Sequence, residues 1–140
     1  MTPDRHVVIA HEAGHAVVAR HYGVRITKIV IEDGGGGWVD IDKTREAFPS
    51  LYANVVYLMA GAAAERIFLD RESGAGAAID IVQALSLVEL DEGIVIYQAA
   101  EDANRILDDE KDTWTRLVDQ LTAGEMDLSW FNRGIHCDET

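Results

Sequence analysis

The chain has 140 residues, 48% of them hydrophobic, which suits one domain built around one core and leaves little room for two. Asp and Glu number 25 against 12 Lys and Arg, and the resulting formal charge of −13 argues against nucleic acid or an anionic membrane surface as partner. No apolar run approaches the roughly 18 residues of a membrane span, no basic-then-apolar leader opens the sequence, and the lone Cys137 has no thiol partner, so the expectation is a cytoplasmic protein without membrane attachment.

Thr2 as N-cap, Pro3 at the first helical position, apolar Val7, Val8, Val17 and Val18, and Gly23 as a stop predict a helix over 3–22. Val24, Ile26, Ile29, Val30 and Ile31 then read as a β-branched strand, Gly34 to Gly37 as a turn, and Trp38 to Asp42 as a second strand. Asp40 and Asp42 share the face opposite Val39 and Ile41, which makes this an edge strand with one wet side. Phe48-Pro49-Ser50 opens a second helix that runs to about Leu69, and its stretch Gly61-Ala62-Ala63-Ala64 is small enough for another helix to approach closely.

Asp70 to Gly76 reads as a loop, Ala77 to about Leu90 as a third helix, and Ile94 to Leu121 as a long fourth one, with Ala103, Ile106, Leu107, Trp114, Leu117 and Val118 at helical spacing. The expected fold is therefore mainly α with a small β-hairpin (α+β), in which a zincin-like helix packs with three further helices. Residues 1–130 are expected to form one domain and 131–140 a C-terminal tail.

The first helix carries His11-Glu12-Ala13-Gly14-His15. Histidines four apart leave one helix face toward a common point, as two ligands of a tetrahedral zinc must, while Glu12 is turned about 100° away and can serve a water molecule instead of the metal. Gly14, in a helix interior where glycine costs about 1 kcal/mol relative to alanine, signals a close neighbour. A catalytic zinc needs a third protein ligand. Two carboxylates downstream are candidates: Asp80, set among Ile79, Ile81 and Val82 where a charge needs a partner, and Glu65 on the second helix.

Ile9 to Ala19, around His11-Glu12-Ala13-Gly14-His15, resembles the zinc helix of the FtsH family of ATP-dependent membrane metalloproteases. Met59-Ala60-Gly61-Ala62-Ala63-Ala64-Glu65-Arg66 resembles that family's Gly-Arg-Ala-Ala-Glu helix. Gly74-Ala75-Gly76-Ala77-Ala78-Ile79-Asp80-Ile81 resembles its Gly-Ala-Ser-x-Asp-Ile segment, whose aspartate is the third zinc ligand. The resemblance thus implies Asp80 over Glu65, with His11, His15 and Asp80 holding Zn2+. Three departures stand out: the 140 residues contain neither the family's membrane anchor nor a Gly-x-x-x-x-Gly-Lys phosphate loop, Ala77-Ala78-Ile79 places one extra residue ahead of Asp80, and Gly34 to Gly37 replaces a more varied turn.

The resemblance and the motif chemistry together imply a stand-alone zinc metalloendopeptidase, a hydrolase acting on flexible or unfolded polypeptides with a metal-activated water and Glu12 as general base. Substrate would lie extended along Trp38 to Ile41, and a separate ATPase is left as a conceivable partner. The alternatives are a catalytically silent zinc or protein-binding module on the same scaffold, or a zinc peptidase with Glu65 as third ligand. His6, His21 and Tyr22 are nominal candidates for stabilising the transition state, although none sits at the spacing that faces the ligands. Trp114 and Trp130 are expected to pack, and Asp102, Asp108, Asp109, Glu110 and Asp112 to keep the long helix wet.

Overall fold

The computed structural model describes residues 5–33, 35–42, 48–70, 75–91 and 93–135. Thr2 and Pro3 of the expected helix start, Gly34 of the turn and Cys137 of the tail lie outside the described residues. The architecture is α+β and mostly helical, with a small antiparallel sheet. Among the described residues no helix is long and apolar enough to cross a membrane.

Helix α1 (Arg5–His21) is the centre of the structure, buried on all sides from Val8 to Ala19. It ends where expected: Gly23 takes a left-handed φ of +78°, its N–H bonds to the Arg20 carbonyl and that of Val24 to Ala19, the paired bonds of a Schellman cap. Strands β1 (Ile26–Ile31) and β2 (Gly37–Ile41) form the expected antiparallel hairpin, with Ile29 opposite Val39 and Val30 opposite Trp38. An irregularity between Ile26 and Lys28 shifts the alternation by one, so Ile26 and Ile29, three apart, both reach the core. Asp40 is exposed and Val39 and Ile41 are half-buried, as the alternation predicts.

Helix α2 (Leu51–Leu69) begins at Ser50, whose Oγ accepts from the Ala53 N–H, and ends at Asp70 in a left-handed conformation. Its small-residue stretch lies against α1. A Cβ placed on Gly14 would meet Ala64 Cβ at 2.6 Å and the Ala60 carbonyl oxygen at 2.8 Å, so glycine at 14 sets how closely the two helices approach. Helix α3 (Ala75–Val88) begins two residues before the expected start at Ala77, taking Gly76 into the helix. It packs on α2 and leaves Ile79, Val82 and Leu85 exposed.

The expected single helix from Ile94 to Leu121 is instead two, α4 (Ile96–Asp109) and α5 (Lys111–Thr122), and α1 packs against α2, α4 and α5. Glu110 leaves helical dihedrals at φ −109°, ψ 27°. The bend lets α4 cover α2 and α5 cover α1, two surfaces that one straight rod would not reach together. Arg20 pairs with Glu110 at 3.4 Å, and Trp114 stacks on Phe68 and donates its indole N–H to the Ala10 carbonyl at 3.2 Å. Asp102 also differs from the expectation: it is half-buried and accepts the Tyr52 hydroxyl, whereas Asp108, Asp109 and Asp112 are exposed.

After α5 the chain stays packed beyond residue 130. Phe131 is fully buried and its carbonyl accepts from Arg20 Nε, while Asn132 clamps the edge of β1 by accepting the Ile26 N–H at 3.0 Å and donating to the Ile26 carbonyl at 2.7 Å. Trp130 packs as expected, its indole N–H donated to Gln120 and its ring covered by Arg116 at 3.8 Å.

Candidate metal centre

Helical spacing puts His11 and His15 on the same side of α1, and α2 fixes both rings from behind. His15 Nδ1 lies 2.8 Å from the Tyr57 carbonyl. A carbonyl only accepts, so Nδ1 carries a proton and Nε2 is the ring nitrogen turned to the site. His11 Nδ1 lies 2.7 Å from Glu65 Oε2, which likewise orients that ring with Nε2 forward. Gly61 makes room for it, since a Cβ there would overlap the His11 imidazole. Tyr57, Gly61 and Glu65 are spaced by four along α2, and this stripe supports the two histidines.

In front of the rings stands Asp80 from α3. Its Oδ2 lies 2.9 Å from His11 Nε2 and 2.9 Å from His15 Nε2, and the two Nε2 atoms are 3.1 Å apart. Three electron-rich atoms converge on one small volume, an arrangement that is repulsive unless protons or a cation lie among them. The two sequence candidates for third ligand therefore occupy different places: Asp80 beside the converging nitrogens, Glu65 on the far side of the His11 ring. Glu65 is 2% exposed, which matches a carboxylate held for orientation in the interior.

Glu12 is buried on the same stretch of α1, and single donor atoms of His11, Glu12 and His15 all fall within 4.8 Å of one another. These three side chains form a buried group that could hold a metal ion. Burial pushes the Glu12 carboxyl above its ordinary range, an effect that the neighbouring His15 and His11 oppose. Burial disfavours the charged form of His11, yet its hydrogen bonds to Asp80 and Glu65 prevail and carry it up to about 9. Burial likewise works against the Asp80 carboxylate, but the two histidines hold it down at about 2. In the metal-free protein a proton on His11 therefore takes the place that a cation would hold.

The site opens into a cavity of about 300 Å³, walled by Trp38 and Val39 of β2, Tyr57 and Leu58 of α2, and Ile79 of α3. Gly37 stands over Glu12: a Cβ on it would come within 3.2 Å of Glu12 Cγ. Among the described residues β2 pairs only with β1, and its residues Gly37, Trp38 and Val39 line this opening. His6 and His21 are exposed, and neither they nor Tyr22 line the cavity. Sequence reasoning missed Tyr57, whose carbonyl orients His15 and whose ring lies 5.1 Å from it. The signal available was its spacing of four and eight from Gly61 and Glu65.

The donor set suits a first-row divalent metal of borderline character: two imidazoles and one carboxylate, with the second ring nitrogen of each histidine already engaged. Zinc bonds of about 2.0–2.2 Å would set the ligand atoms roughly 3.4 Å apart, a few tenths more than observed. The chain matches no protein-family model and no curated protein.

Proposed function

We propose that this chain is a zinc-dependent endopeptidase that cleaves flexible or unfolded polypeptides, with His11, His15 and Asp80 holding the metal and Glu12 as general base. One observation carries the reading: the Nε2 atoms of His11 and His15 and Oδ2 of Asp80 meet within 3.1 Å while each ring is oriented from behind. The FtsH-like motifs add support, because the residues that meet here come from all three of them: His11 and His15, Glu65, and Asp80.

When bound, the metal would supply Lewis acidity, polarising a carbonyl and lowering the pKa of water to about 7. Glu12, its proton affinity raised by burial, is suited to take a proton from a water molecule and return it to the leaving amine. Glu65 and the Tyr57 carbonyl hold the rings, which limits the reorganisation needed during turnover. An extended peptide would run along the open edge of β2, anchored through its backbone, so that sequence demands are modest. The acidic surface disfavours acidic substrates. A separate ATPase would be required only for folded substrates.

The test is Glu12→Gln. It is expected to keep the fold and bind one zinc per chain while losing cleavage of disordered casein by at least about a hundredfold. A variant that cleaves as well as the parent would overturn the assignment and leave the silent zinc module as the better reading.

A further inference from the structure

The proposed hydrolysis needs a group that donates to the scissile carbonyl oxygen as it becomes an oxyanion, and His6, His21 and Tyr22 are all away from the cavity. We propose that Tyr57 is that donor, its phenolic hydroxyl hydrogen-bonding the oxyanion from the α2 side of the cavity. This inference rests on the peptidase reading and names a further catalytic residue for it.

Three observations carry it. Tyr57 lines the cavity that also contains His11, His15, Glu12 and Asp80. Its ring is gripped between Phe48, at 4.9 Å, and His15, at 5.1 Å, so the hydroxyl is carried on a fixed support. That hydroxyl has no hydrogen-bond partner among the described residues, in contrast to Tyr52, which gives its proton to Asp102. A phenol held at the wall of a polar cavity with its proton uncommitted is a donor in waiting. An ordinary phenol, with a pKa of about 10, is protonated around neutral pH.

Tyr57→Phe removes only that hydroxyl and leaves the ring and the backbone carbonyl that orients His15. Casein cleavage by the zinc-loaded protein is expected to lose about 10²–10³-fold in kcat with KM changed less than threefold. Binding of a phosphonamidate peptide, whose tetrahedral phosphoryl oxygens imitate the oxyanion, should weaken at least tenfold. The absorption spectrum of the cobalt-substituted protein should not change, which separates loss of a donor from damage to the metal site. An active parent with a Tyr57→Phe variant within twofold of it in kcat and in phosphonamidate affinity overturns the role of Tyr57 alone. A parent that neither cleaves casein nor binds the phosphonamidate overturns the peptidase reading and this inference with it.

Discussion

His11 Nδ1 lies 2.7 Å from Oε2 of Glu65, a carboxylate 54 residues further along the chain and itself almost wholly buried. Glu65 thereby fixes the ring of a proposed ligand from the side opposite the Nε2 atom that meets Asp80. Replacing it with Gln should retain one zinc per chain but weaken affinity about 10–100-fold, as measured by competition with a chromophoric chelator. Asp80→Ala should instead lose stoichiometric zinc. The reverse order of effects would make Glu65 the ligand.

Metal binding should release protons. In the metal-free protein His11 is raised to about 9, burial opposing and the bonds to Asp80 and Glu65 prevailing, so near pH 7 a metal must displace its proton. Calorimetric titration with zinc in buffers of different ionisation enthalpy should report about one proton released per ion, and affinity should fall about tenfold per unit of decreasing pH across this range. Affinity that does not vary with pH around neutrality would contradict the proton-for-metal exchange.

The same shifts set the pH dependence of metal-free stability. His11 is raised above its ordinary 6.5, so its contribution is complete below that value and is lost as pH rises through about 9. Asp80 is lowered, so its contribution is complete above 3.8 and is lost as pH falls through about 2. Chelator-treated protein should therefore melt at the highest temperature between about pH 4 and 6.5 as far as this pair is concerned, and the alkaline decline should be reduced in His11→Phe.

Gly14 and Gly61 separate packing from metal binding. Gly14→Ala drives a methyl against the Ala60 carbonyl, backbone that cannot rotate aside, and should destabilise by about 1–3 kcal/mol, seen as a Tm lower by roughly 5 °C or more. Gly61→Ala meets the His11 ring itself and should impair zinc binding even in molecules that remain folded. Chelator competition on the folded fraction distinguishes the two.

Asn132 substitutes for a strand at the edge of β1. Asn132→Ala leaves the Ile26 N–H and carbonyl without partners in the interior and should cost about 2–4 kcal/mol in urea denaturation. A cost below about 0.5 kcal/mol would mean that this edge is satisfied in another way.

Local patterns were legible in the sequence and crossings were not. The i, i+4 histidines, the Gly23 stop, the hairpin and the Ser50 start depend on residues close in sequence, where helical and strand periods apply directly. Small residues at Gly14 and Gly61 announced a close helix contact without revealing that Gly61 faces His11. Chemistry alone could not order Asp80 and Glu65, because that order depends on which side of the His11 ring α2 and α3 present. The break at Glu110 was hidden because apolar spacing continues through it with neither Gly nor Pro to mark it. Phe131 and Asn132 lie outside any periodic segment, and their roles arise only when the chain returns to Arg20 and β1.

Everything proposed for this chain depends on one cation sitting among His11, His15 and Asp80. Crystals grown with one equivalent of zinc, measured on both sides of the zinc absorption edge, would locate it. A single anomalous peak is expected, bonded to Nε2 of both histidines and to an oxygen of Asp80, with Glu65 remaining on His11 Nδ1. A peak coordinated by Glu65 in place of Asp80, or no peak at this site, would contradict the assignment.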